Sequence, residues 1–127
     1  MHKGLLITAF ILGAISVGLG AFAAHSLKAM ISDNAIATFE TGVRYQFYHV
    51  FALLTVAILY KDFPAVRLSG WLFIAGIILF SGSLYALSIL QGMVQPGYKW
   101  VGAITPFGGL MFICGWLWMV IAVVKKR

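Results

Sequence analysis

An all-α integral membrane bundle of four spanning helices is the fold this sequence predicts, and three observations predict it. Hydrophobic residues make up 62% of the 127, charged residues only 9%, and the mean hydropathy is +1.01. Soluble domains carry about 25% charged residues, and a core of this size could not hide so much apolar side chain from water. Four apolar runs, each long enough to cross a hydrocarbon core of about 30 Å, are separated by short polar breaks. The few polar residues inside the runs are grouped rather than scattered.

The first run, Gly4 to Ala24, holds no charge and only Thr8 and Ser16 as polar side chains; its 21 residues reach roughly 31 Å. The Lys3 start and Ala21-Phe22-Ala23 imitate a cleavable leader, but the run exceeds the roughly 7 to 15 apolar residues of a leader, so it reads as a retained helix. Ala9, Gly13, Ser16, Gly20 and Ala23 recur at steps of four and three and give one face of small side chains, suited to close helix contact.

Ser32, Asp33 and Asn34 are helix-capping residues and open a long helix reaching Tyr60 or Lys61. At roughly 40 Å it exceeds the bilayer core, so its first turns, with Ile36, Phe39 and Val43 on one side, read as an amphipathic lead-in and the span proper as 44–60. Lys61-Asp62-Phe63-Pro64 breaks the helix. A third span follows over 67–90, then a turn from Gln91 to Lys99 with Gly92, Pro96 and Gly97, and a fourth span over 100–124 with Pro106 in its first turns. The spans 4–24, 44–60, 67–90 and 100–124 form one domain, residues 1–127.

Four spans put both termini on one side. Lys3, Lys61, Arg67, Lys125, Lys126 and Arg127 fall there, against Lys28, Arg44 and Lys99 on the other, which predicts cytoplasmic termini. Tyr60, Trp71, Trp116 and Trp118 would mark that interface, and Tyr45, Tyr48, Tyr98 and Trp100 the opposite one. This spread of bases argues against nucleic acid as the reason for the net charge of +6. The single cysteine, Cys114, lies in an apolar run and reads as a packing residue.

Threading the spans through one slab collects polar groups towards the side away from the termini. His25 ends the first span, Glu40, Arg44, Tyr45, Gln46 and His49 open the second, Ser81, Tyr85 and Ser88 share a face of the third, and Thr105 opens the fourth. Intramembrane polar groups mark functional sites, so these residues are read as a polar chamber open to the non-cytoplasmic side. Glu40 and Arg44, four apart, suit an ion pair; the alternative for Arg44 is capture of a lipid phosphate by its fork. Arg44 and His49 lie about 140° apart on the helix, which disfavours a compact triad. Gly108 and Gly109 read as packing residues, or, with Pro106, as a loosened helix exposing carbonyls. Two histidines with few carboxylates make a poor metal site, no cofactor motif occurs, and no phosphate loop, nucleophile elbow or zinc-protease motif is present.

Gly20-Ala21-Phe22-Ala23-Ala24-His25, Arg44-Tyr45-Gln46-Phe47-Tyr48-His49, Leu79-Phe80-Ser81-Gly82-Ser83-Leu84-Tyr85, and Thr105-Pro106-Phe107-Gly108-Gly109 with Gly115-Trp116 supply one motif per span. On these motifs the chain resembles the YgdD/YwdK family of small four-helix membrane proteins, a domain of unknown function (423) that includes an animal transmembrane protein. The family's first motif more often reads Gly-Ala-x-Gly-Ala-His, with Ala23 here in place of the second glycine. The resemblance implies a multi-pass protein of the bacterial plasma membrane, or an organellar relative, with no established activity.

The function expected is therefore non-enzymatic: a chamber binding a small polar ligand or lipid headgroup, with membrane lipids as partners. The alternative is a structural or assembly role, in which the protein packs on itself or on other membrane proteins through its small-residue faces. An enzyme acting on lipid has only Asp33, Glu40 and Asp62 as carboxylates, none deep in the slab.

Overall fold

The structure is a computed structural model and describes residues 1–92 and 99–126. Most of the turn read between Gln91 and Lys99, with Pro96, Gly97 and the interfacial Tyr98, lies outside the described residues, as does Arg127. The helices are α1 (Lys3–Ala24), α2 (Asp33–Leu59), α3 (Arg67–Gly76), α4 (Gly82–Gly92), α5 (Lys99–Gly102) and α6 (Thr105–Val124). Four continuous stretches, Lys3–Ala29, Asp33–Leu59, Pro64–Gln91 and Lys99–Val124, are long and apolar enough to cross a membrane.

His2 caps α1: its Nδ1 accepts the Leu5 N–H at 3.2 Å, and its own backbone N–H donates to the Ala57 carbonyl at 2.8 Å. The start of α1 is thereby tied to the end of α2. Along its length α1 packs on α2, with Ala9, Ser16 and Ala23 buried in the contact. A Cβ added to Gly13 or Gly20 would meet Val50 or Val43 of α2 at 3.5 and 3.7 Å. The small-residue stripe is thus occupied within the chain, and the side of α1 turned outward carries Phe10, Ile11, Ile15 and Val17.

Ser32 caps α2 by accepting the Ala35 N–H at 3.3 Å, and Asp33 puts an acid in the first turn, where the helix dipole favours it. The amphipathic lead-in is present as the first turns of this unbroken helix. Its apolar side is buried: Ile36, Phe39 and Val43 pack against Ala23 and Leu27, because the end of α1 lies beside it. Further along, Leu53, Val56 and Ala57 join Leu5, Val66, Phe73 and Phe112 in the main core.

The third span is not one regular helix. Over Ile77–Ser81 it widens, and the Gly82 N–H reaches back five residues to the Ile77 carbonyl. Such a turn inserts a residue and rotates the face of α4 relative to that of α3. The widened backbone lies against Gly108 of α6, where a Cβ would collide with the Phe80 backbone, 2.7 Å from its Cα. The fourth span is also interrupted, by a turn at Ala103–Ile104 between α5 and α6 directly before Pro106, so the loosening weighed there as an alternative to packing lies just ahead of the proline. Pro106 occupies the first turn of α6, where no amide donor is missed, and Gly108 is the point of close approach.

Between α3 and α6 two aromatic rings fill two glycine positions reciprocally: Phe112 covers Gly76, and Phe73 covers Gly115. α3 and the widened segment Ile77–Ser81 each contact both α2 and α6, and α4 packs on α2. The third span therefore sits between the backbones of α2 and α6, which still meet through the side chains of His49, Phe112 and Trp116.

Candidate functional site

The polar residues grouped by sequence separate into two clusters and a set of exposed side chains. The first cluster crosses three spans. Gln46, 2% exposed, donates from Nε2 to the Leu12 carbonyl of α1 at 3.2 Å, and its Oε1 accepts the Tyr85 hydroxyl of α4 at 2.7 Å. Leu12 also accepts the Ser16 hydroxyl at 2.7 Å. Beside it the buried Ser81 hydroxyl donates to the Gly42 carbonyl at 2.7 Å, and the Ser88 hydroxyl donates to the Tyr85 carbonyl at 2.9 Å. Thr105 joins a separate pair: Ser83 donates to the Phe80 carbonyl at 2.9 Å, which leaves its oxygen to accept the Thr105 hydroxyl at 2.6 Å. These groups satisfy one another or the backbone, and so tie the helices together.

The second cluster is built on His49, 4% exposed. Its Nδ1 lies 2.7 Å from the Tyr45 carbonyl, an acceptor only, and its Nε2 lies 3.2 Å from the indole nitrogen of Trp116, a donor only. Both bonds can form only in the tautomer with the proton on Nδ1. Phe112 stacks on the imidazole with centroids 3.5 Å apart and planes at 7°, and Phe73 lies 5.4 Å from it. While Trp116 donates, Nε2 has no lone pair left to accept another proton. Trp116 is therefore the partner of His49 in the middle of α6, a correction to its expected place as an interface marker: its distance from the helix ends puts it level with His49.

Next to this cluster a groove of about 590 Å³ opens between α2 and α6. One wall is Tyr45, Tyr48 and His49 of α2, the other Gly109, Phe112, Ile113 and Trp116 of α6, with Phe80 at its base. Ring packing fixes the walls: Tyr45 lies 4.8 Å from Phe80 and 5.6 Å from Tyr48. Tyr48 and Ile113 are more than half exposed, so the groove opens sideways from the bundle.

His25, Glu40 and Arg44 are exposed. His25 only closes α1, its backbone N–H bonding to the Ala21 carbonyl at 3.1 Å. The Glu40–Arg44 ion pair suggested by their spacing does not form within 4.0 Å; both residues are exposed. Arg44 directly precedes Tyr45 and lies one turn before Tyr48, at the end of the groove nearer the start of α2. Among the described residues no three histidine, cysteine or carboxylate side chains converge as metal ligands.

Residues 19–109 match the family described as "Protein of unknown function (DUF423)". The chain is 47% identical over 122 residues to the UPF0382 membrane protein YwdK of Bacillus subtilis (strain 168), covering 91% of this chain and 94% of that one. It is 44% identical over 120 residues to the UPF0382 membrane protein SAB0533 of Staphylococcus aureus (strain bovine RF122 / ET3-1), covering 91% and 93%. It belongs to this family of membrane proteins. No solved structure matches it.

For this family member the sequence motifs thus divide by role. Gln46, Ser81 and Tyr85 meet inside the bundle, while His49 stands apart with Trp116. The aromatic partners Phe73, Phe80 and Phe112 were not singled out by sequence reading, since phenylalanine in an apolar run looks like any lipid-facing residue. The signal available was spacing: Phe73 and Gly76, like Phe112 and Gly115, stand three apart, so each helix offers a ring and a hole on one face.

Proposed function

We propose that the protein is a non-enzymatic lipid binder of the plasma membrane, its termini in the cytoplasm. In this reading Arg44 holds the headgroup phosphate of a lipid, and one acyl chain lies in the groove between α2 and α6. The groove is the observation that supports this reading. Its volume of about 590 Å³ falls within the roughly 300–1,000 Å³ of small-molecule sites, its walls are ring faces, and no charged side chain lines it. A guanidinium beside the groove suits a phosphate through two parallel hydrogen bonds, and the Tyr45 and Tyr48 phenols stand between charge and grease. None of the carboxylates Asp33, Glu40 and Asp62 lines the groove, so the reading is binding without turnover.

Native mass spectrometry of the gently extracted protein tests it. Wild type should retain one phospholipid more than Arg44→Ala does. That lipid should also be lost from Gly109→Leu, which fills the groove from a position where the Phe80 ring is no nearer than 3.8 Å. The same number of bound lipids in wild type and in both variants would reject the groove as a site.

A further inference from the structure

A second, smaller pocket lies at the opposite end of the bundle, where α6 ends beside the turn before α3. Its volume is about 170 Å³, about the space of six waters, so it takes a headgroup and not a whole lipid. Phe63 and Ala65 form one side, and Trp118, Ile121, Lys125 and Lys126 the other. Lys126 folds back so that its ammonium stands 4.5 Å from the centroid of the Phe63 ring. The Trp118 indole N–H is already taken by the Ala65 carbonyl at 2.9 Å. Among the described residues the charged groups of the pocket are thus two ammoniums, and the nearest side-chain carboxylate in sequence, Asp62, does not line it. From its mouth the exposed side chains of Leu117, Ile121 and Val124 run along α6 as one apolar stripe.

We infer that this pocket is a binding site for the phosphate of an anionic phospholipid, drawn from the leaflet that faces the two termini. Two cations with no lining carboxylate among the described residues select negative charge. The ring face of Phe63 holds one ammonium in place at reduced entropic penalty. The apolar stripe favours a lipid over a free phosphate, because an acyl chain continuing from the headgroup would cover Leu117, Ile121 and Val124. Basic pockets between spanning helices recognise anionic headgroups by this combination of charge and adjoining hydrocarbon. The site stands apart from the groove: no residue lines both.

The test is native mass spectrometry of the full chain, titrated with phosphatidylglycerol and with phosphatidylcholine of identical acyl chains. Wild type should bind phosphatidylglycerol more tightly than phosphatidylcholine. The Lys125→Gln/Lys126→Gln pair should lose about thirty-fold in affinity for phosphatidylglycerol only, the effect of two basic side chains near an anionic headgroup. Lys3→Gln/Lys61→Gln, which removes the same charge from the same end, should keep the wild-type preference. Phe63→Leu, which keeps every charge, should weaken the preference several-fold. An equal loss in both lysine pairs would show a diffuse field and overturn the site, as would equal binding of the two lipids by wild type. Arg44→Ala should leave this preference intact; its abolition there would overturn the pocket while leaving the groove reading standing.

Discussion

Phe73 covers Gly115 so closely that a Cβ built on the glycine would lie 2.5 Å from the ring's Cε1. Lipid offers no hydrophobic gain for bringing two spanning helices together, so α3 and α6 associate through contacts of this kind. Gly115→Ala should therefore lower stability by about 1–3 kcal/mol, as overpacking does. Gly18→Ala, on α1 with nothing within 4 Å of the new Cβ, should be neutral or mildly stabilising. Thermal unfolding of both variants in detergent checks the contrast; equal effects would mean that the ring is not packed on Gly115.

The Gln46–Tyr85 bond joins α2 to α4, and through Leu12 it also holds α1. Gln46→Leu and Tyr85→Phe should each destabilise the bundle by about 1 kcal/mol, with a coupling energy near the ~0.6 kcal/mol average for hydrogen bonds between spanning helices. A double-mutant cycle on reversible unfolding measures it. Zero coupling would separate the two residues and reopen them as ligands for something else.

Trp116 fixes the tautomer of His49. Nitrogen-15 spectra should show Nδ1 protonated and Nε2 bare in the wild type, and a tautomer mixture in Trp116→Phe, with a stability loss of about 1 kcal/mol from the unpaired nitrogen. A wild-type proton on Nε2 would refute the arrangement.

Ser69 is fully buried, and its hydroxyl is the buried side-chain oxygen left without a partner among the described residues. The carbonyl one turn back, Ala65, to which a helical serine ordinarily donates, holds the Trp118 indole. Ser69→Ala should stabilise the protein by about 1 kcal/mol, since an unpaired buried hydroxyl opposes folding. A loss of that size in thermal unfolding would mean that the hydroxyl is bonded.

The polar residues were legible as a group because a bilayer makes each of them conspicuous, yet their pairing was not. Gln46 and Tyr85 are 39 positions apart, and His49 and Trp116 are 67 apart. No local periodicity relates them. The expected common chamber became two clusters because α2 turns Gln46 towards α1 and α4 but His49 towards α6. The Glu40–Arg44 pair shows the converse: correct spacing on one helix did not bring the two charges together, since helical period sets which residues can meet and not which rotamers they adopt.

By itself the sequence determined the solvent, the four crossings, the capped start of α2 and the small face of α1, because each rests on local composition or on helical period. Tertiary structure alone decided what the small face meets, where the third span widens, and which rings line a groove. Those depend on side chains from helices distant in the chain, and above all on Phe80 seated against Gly108, a close approach that exists only when the widened segment Ile77–Ser81 and α6 are already side by side.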